Sequence, residues 1–194
     1  SELGVKYRGN AALYALPWYM IIGPSASGKS TLLRNSGLHF PFSSHEDLRI
    51  KGFGGTRNCD WWFSDEAVIL DTAGRYTTEQ NDQEEWTAFL GLLKKNRPRL
   101  PINGIIVAIS LVDLLTSDEE GISWHVKVIR ERIEELYSQF GFVFPVYLSF
   151  TKCDLLNGFE AFFAEMSEQE RRQVWGMNLL SVEGDADTIA NSFK

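Results

Sequence analysis

The sequence predicts an α/β fold: a mostly parallel sheet with helices on both faces and one antiparallel edge strand. Three observations predict it. Trp18–Ile22 and Gly104–Ser110 are continuous apolar runs, as strands buried on both faces require. Such runs alternate with helix-length stretches, the order of a β-α-β chain. Residues 58–64 and 67–71 are both strand-like, with only Asp65 and Glu66 between them, so they read as a β-hairpin that supplies the antiparallel edge.

Taken in order, residues 1–15 lack a clear pattern and are expected to form a linker or flanking segment. Residues 16–194 are expected to form the domain proper, with the start of a helical extension after about residue 176. The first strand is followed by a helix-compatible run from Ser30 to Asn35, ended by Gly37, and then by a loop-like stretch to Gly55. Residues 82–95 read as a helix stopped by Arg97-Pro98 and Pro101. Residues 122–140 form an amphipathic helix with Val126, Ile129, Ile133, Leu136 and Phe140 on one stripe, closed by Gly141. Residues 144–150 are the next strand, and residues 159–166 and 168–175 are expected helices, the second capped by Ser167. In such a sheet ligands sit at the carboxyl ends of the strands.

Composition narrows the function. A net charge of −7 and a pI near 5.0 argue against nucleic acid or an anionic membrane surface as the main partner. The two cysteines, Cys59 and Cys153, are far apart in sequence, which fits a reducing compartment better than a disulfide or zinc framework. The longest apolar run, residues 105–112, falls far short of the roughly 20 residues of a membrane span. The chain begins at Ser1 without a methionine and reads as a stretch of a longer protein.

The chemistry begins at Gly23-Pro24-Ser25-Ala26-Ser27-Gly28-Lys29-Ser30. This is G-x-x-x-x-G-K-[ST], the phosphate-binding P-loop, set between a strand and a helix as the motif requires. Gly23 and Gly28 allow turns that turn successive N–H groups onto phosphate oxygens, and the following helix adds its positive end. Lys29 is expected between the β- and γ-phosphates, and the Ser30 hydroxyl on Mg²⁺, with Thr31 completing the nucleotide-binding stretch. The fold is therefore expected to be that of a P-loop NTPase, GTPase-like in its hairpin. The bland alternative is a Gly/Ser-rich turn.

Two further motifs follow at strand ends. Asp71-Thr72-Ala73-Gly74 matches D-x-x-G, with Asp71 expected to hold Mg²⁺ and the Gly74 N–H to reach the γ-phosphate. Thr151-Lys152-Cys153-Asp154 matches [NT]-K-x-D, in which Asp154 would accept the ring N–H and amine of guanine and Lys152 would lie along the base. Each is also compatible with a plain turn after a strand. Thr56 is the best-placed threonine to close over Mg²⁺ and the γ-phosphate, and equally an ordinary loop residue. Arg75 stands where a Ras-like hydrolase carries a glutamine to orient water. Arginine neutralises developing negative charge instead, so hydrolysis is expected to be slow or partner-dependent. GTP and ATP both remain open.

Other conspicuous residues read as structural. Trp61 and Trp62 are adjacent on a strand and must face opposite sides, one to the core and one to a partner. His39, His45 and His125 show no ligand spacing. Asp113 reads as a helix cap, Asp118-Glu119-Glu120 as a solvated loop, and Cys153 as a small packing residue.

Longer phrases carry a family resemblance. These are Leu16-Pro-Trp-Tyr19, Asn35-Ser-Gly-Leu38, Gly55-Thr-Arg-Asn-Cys-Asp-Trp-Trp62, Asp71-Thr-Ala-Gly-Arg-Tyr-Thr77, Phe89-Leu-Gly-Leu-Leu93, Arg97-Pro98, Pro101-Ile-Asn-Gly104, Phe144-Pro-Val-Tyr147 and Thr151-Lys-Cys-Asp154. Together, over roughly residues 13–175, they resemble the cytoplasmic domain of TssM/IcmF proteins. The resemblance implies an inner-membrane component of a bacterial type VI secretion system, or of the related type IVB system. It further implies partners TssL and TssJ, contact with the baseplate, and binding or hydrolysis of nucleotide. Two functions are expected in competition. One is a slow NTP hydrolase or switch; the other is a docking module that keeps the P-loop fold with little or no hydrolysis.

Overall fold

The computed structural model describes residues 13–41, 59–77 and 83–176. Thr56, His45 and the stretches before residue 13 and after residue 176 lie outside the described residues. The chain divides into two compact units, Ser1–Leu156 and Asn157–Lys194.

The first unit holds a five-stranded sheet in the order β2-β3-β1-β4-β5, where β1 is Trp18–Ile22, β2 Cys59–Phe63, β3 Val68–Thr72, β4 Gly104–Ser110 and β5 Val146–Thr151. β1 pairs in parallel with β3 and β4, β4 pairs in parallel with β5, and only β2 runs antiparallel, at the edge. The helices are α1 (Lys29–Arg34), α2 (Gln83–Asn96), α3 (Leu111–Thr116) and α4 (Glu119–Phe140). The parallel sheet, the antiparallel edge strand and the hairpin agree with the sequence expectation.

Alternation along the central strands loads both faces. Met20, Ile22, Val68, Leu70, Ile105 and Val107 pack with Trp86, Leu90 and Leu93 of α2 and Leu136 and Phe140 of α4. Ile21, Ile69 and Ala108 face the other way and pack with Leu33 of α1. A strand covered on both sides needs no polar residues, and this is why β1 and β4 read as unbroken apolar runs. Trp61 packs against the first cluster and Trp62 against the second, each on its own side of β2. Trp61 meets Trp18 edge-on at 5.1 Å, and Trp62 meets Phe40 at 5.2 Å.

Several local expectations are corrected. Asp118, Glu119 and Glu120 are no loop: Asp118 caps α4 by accepting from the Gly121 N–H at 2.8 Å, and both glutamates sit in the first turn, where carboxylates favour the positive helix end. Asp113 is not the cap of α3. Ser110 is, accepting the Asp113 N–H at 3.2 Å. Val126 is 59% exposed, so the buried stripe of α4 is its C-terminal half, together with Arg132. Pro145 lacks an N–H, and β5 starts only at Val146, although the Pro145 carbonyl accepts from Ile105.

Arg97 does more than stop a helix: it is 1% exposed. Its guanidinium donates to the Leu13, Leu16 and Pro101 carbonyls and to Asn103 Oδ1 at 3.0, 3.1, 3.4 and 3.3 Å, and stacks over Tyr14 and Trp18. Burial lowers its pKa from the ordinary arginine value, and the neighbouring Tyr14 acts in the opposite direction. Residues 13–16 are thereby tied to the start of β1.

In the second unit, α5 is Phe159–Ala164 and α6 is Glu168–Arg171, both shorter than the sequence suggests. Met166 N–H bonds to the Phe163 carbonyl and tightens the end of α5, while the exposed side chains of α6 have no core face to prolong it. Ser167 caps α6 as expected, in a reciprocal box with Glu170. Phe162 and Phe163 both meet Trp175 edge-on.

Candidate functional site

Residues 23–28 connect β1 to α1 at the carboxyl edge of the sheet. Gly23 has φ 152°, and a Cβ there would lie 2.4 Å from the Ala108 carbonyl oxygen of β4, so only glycine lets the loop pass the neighbouring strand. Gly28 takes φ 85° directly before α1, and Ala26 is left-handed at φ 60° without being glycine. A non-glycine residue in that conformation costs about 1 kcal/mol or more and persists where its surroundings hold it.

Lys29 folds back into this loop. Its Nζ donates to the Gly23 and Pro24 carbonyls at 2.8 and 2.9 Å, and the residue is buried. Burial lowers the Lys29 pKa, and the Asp71 carboxylate opposes that shift. The β1–β3 register sets Ile21 beside Asp71, which brings Asp71 to the loop. Ser30 Oγ donates to Asp71 Oδ2 at 2.7 Å. Burial raises the Asp71 pKa above the usual carboxylate value, with Ser30 and Lys29 pulling it back and the neighbouring Asp60 adding to the rise. The buried Trp62 Nε1 lies close enough to lower the Asp71 pKa without completing a hydrogen bond. Thr72 Oγ1 donates to the Ile21 carbonyl at 2.8 Å and clamps the two strand ends together.

The 71–74 turn then lies directly on the loop. A Cβ on Gly74 would meet the Ser25 backbone N at 2.2 Å and Cα at 2.4 Å. A 3-10 turn, Gly74–Thr77, follows and is anchored by buried Tyr76 against Trp86 at 5.4 Å. Arg75 lies in this turn, and its side chain is outside the described residues.

Thr151 comes in from the other side. The β4–β5 register pairs it with Ser110, and its Oγ1 donates to the Ser27 carbonyl at 2.5 Å, across 124 residues of sequence. Lys152 is left-handed at φ 57°, and its Nζ reaches Asp113 Oδ1 at 3.6 Å. Asp154 lies in the 3-10 turn Cys153–Leu155 and is exposed. The fold thus gathers Gly23, Pro24, Ser25, Ala26, Ser27, Gly28, Lys29, Ser30, Thr31, Asp71, Gly74 and Thr151 around one loop, with Lys152 and Asp154 on the adjoining turn. Asp113 and Trp62 were not singled out by the motifs; only their register and contacts bring them in.

The donor set fits an anion with a hard cation. Lys29 is a buried ammonium hydrogen-bonded to two neutral carbonyls, which a phosphate oxygen surpasses as an acceptor. Ser30 and Asp71 place two oxygen donors together, the ligand type Mg²⁺ takes alongside water and phosphate. Among the described residues no group of three or more His, Cys, Asp or Glu side chains could hold a metal.

Comparison with known proteins adds the family. Residues 79–193 match the model of the IcmF-related N-terminal domain. The chain belongs to the IcmF-related family. The match includes Thr151, Lys152 and Asp154 and leaves residues 23–31 and 71–74 outside it. Over 189 residues this IcmF-related chain is 52% identical to the type VI secretion system component TssM1 of Pseudomonas aeruginosa. That alignment covers 95% of the chain and 17% of TssM1, so the chain spans about one sixth of that relative's length. No helix among the described residues is long and apolar enough to cross a membrane.

Proposed function

We propose that this domain is the nucleotide-binding switch, and a slow NTP hydrolase, of a type VI secretion membrane-complex protein. The observation that carries the reading is the convergence of Lys29, the Ser30–Asp71 pair and Gly74 on one glycine-shaped loop. The family and the likeness to TssM1 support the secretion context. A cytoplasmic position in an inner-membrane parent, with TssL, TssJ and baseplate partners, is the assignment that fits this context.

In this reading Lys29 neutralises phosphate charge, and the N–H groups of residues 25–31 orient the phosphates. Ser30 and Asp71 hold Mg²⁺, with Thr56 as the further candidate ligand. Mg²⁺, when bound, would screen the negative charge between phosphates. Arg75 would meet the charge that develops as the terminal phosphate leaves, and Thr151, Lys152 and Asp154 would seat the base of GTP or ATP. The switch follows from packing. Gly74 lies against Ser25, so a group bound at the Ser25 N–H would press on Gly74 while Asp71 keeps its place, and removal of that group would let Gly74 settle back. Arg75 in place of a water-orienting glutamine favours slow turnover, and it is also what a docking module with little hydrolysis would carry.

Calorimetry with GTP and with ATP, each with Mg²⁺, tests this on the 194-residue chain and on Lys29→Ala. The substitution should weaken binding by about 1–2 kcal/mol or more, roughly tenfold. Wild-type chain that binds neither nucleotide would leave the docking module as the function.

Asp71→Asn separates stability from function. The folded pKa of Asp71 is raised, so between its ordinary value and that raised value the folded chain holds a proton that the unfolded chain has released. Stability therefore falls as pH rises through that window. Asparagine removes the buried charge and can still accept from Ser30. The ligand-free variant should melt at or above the wild-type temperature at pH 7, with a flatter profile on the acid side, and should lose the Mg²⁺ dependence of nucleotide binding. A large drop in its melting temperature would show that the charge is needed for folding.

A further inference from the structure

Lys152 is one of two non-glycine residues with positive φ among the described residues, and both border the candidate site. Two contacts flank this conformation. Thr151, the preceding residue, is bonded through Oγ1 to the Ser27 carbonyl. Lys152 itself is drawn by its Nζ to Asp113 at 3.6 Å. Asp113 is placed by α3, whose first turn is set by Ser110 at the end of β4, and α3 packs against the Cys153–Leu155 turn. Asp154 next to it is exposed, with no ion-pair partner among the described residues.

We infer that Asp113 is a positioning residue for the nucleobase: it pins Lys152 so that the lysine stem stands ready as one wall of the base site while Asp154 stays free to accept from the base. This rests on the nucleotide reading proposed above. The physical reason is preorganisation. A free lysine must surrender side-chain rotamers when it lies along a ring, and that entropy is lost from affinity. A lysine already tethered at its tip has given up most of that freedom before the ligand arrives. The phosphates are held by the 23–31 loop and gain nothing from the tether, so the effect belongs to the base alone. The bland alternative is an ordinary ion pair; its side chains are 28% and 52% exposed, which limits what the pair adds to stability.

Calorimetry separates the two with three ligands, Mg²⁺-GTP, Mg²⁺-ATP and Mg²⁺-tripolyphosphate, on wild type, Asp113→Asn and Asp113→Glu. Asp113→Asn should weaken the better-bound nucleotide by about three- to fivefold, leave tripolyphosphate unchanged and leave the ligand-free melting temperature close to wild type. Asp113→Glu, which keeps the charge, should recover most of the loss. Equal weakening of nucleotide and tripolyphosphate, or no weakening of either, overturns the inference while the phosphate site stands. A wild-type chain that binds none of the three ligands overturns both this inference and the nucleotide reading.

Discussion

Gly23→Ala should cost about 2–3 kcal/mol of stability and abolish the proposed nucleotide binding together. The methyl group would lie 2.4 Å from the Ala108 carbonyl oxygen, and that oxygen belongs to β4, paired with β1 on one side and β5 on the other. A flexible side chain could turn away from such a contact, but a strand held between two others has nowhere to go. Ser27 Oγ sits 3.0 Å from the same methyl position and closes the other direction. The loop must therefore lift off the sheet. Lys29 then loses the Gly23 and Pro24 carbonyls that hold its ammonium. Urea unfolding gives the first number and calorimetry with Mg²⁺-GTP and Mg²⁺-ATP the second. A variant with unchanged midpoint and unchanged affinity would mean that the loop path described above is wrong.

Arg97→Ala has the larger effect on folding, about 3–5 kcal/mol, out of the 5–15 kcal/mol typical of a whole domain. The loss has two parts. The carbonyls of Leu13, Leu16 and Pro101 and the Asn103 side chain lose their donor, and a buried acceptor left unpaired costs about 1–3 kcal/mol. The rings of Tyr14 and Trp18 lose the flat group they stack on, which leaves a cavity beside the first strand. Asn103 also accepts the Trp18 N–H at 2.8 Å, so the damage reaches the central strand. Arg97→Lys keeps the charge but cannot make the forked contacts, and should recover at most about half of the loss. Urea midpoints of the two variants, compared at equal slopes, decide the matter; an Arg97→Ala chain within 1 kcal/mol of wild type would reduce Arg97 to a surface-like residue.

What the sequence determined by itself is local and periodic. Unbroken apolar runs marked β1 and β4, because a strand covered on both faces has no solvent side to make polar. The two-residue gap at Asp65 and Glu66 marked the hairpin, and its turn residues need no distant partner. Gly141 marked the end of α4 because only a short list of residues takes the left-handed turn it takes, at φ 79°. The loop around Lys29 was legible for the same reason, since its glycines and its lysine lie within eight residues. The start of α4 is hidden in the sequence because three acidic residues in a row look solvated, whereas at a helix start they are stabilised by the helix end. The remaining contacts come from the folded chain. Thr151 meets Ser27, Lys152 meets Asp113, and Arg97 gathers Leu13 and Leu16, each across tens of residues. No periodic pattern encodes such pairs, because they depend on which strand edges and loops the sheet brings side by side. A buried arginine looks in sequence like any other charge, and what distinguishes it is the set of carbonyls that the fold turns toward it.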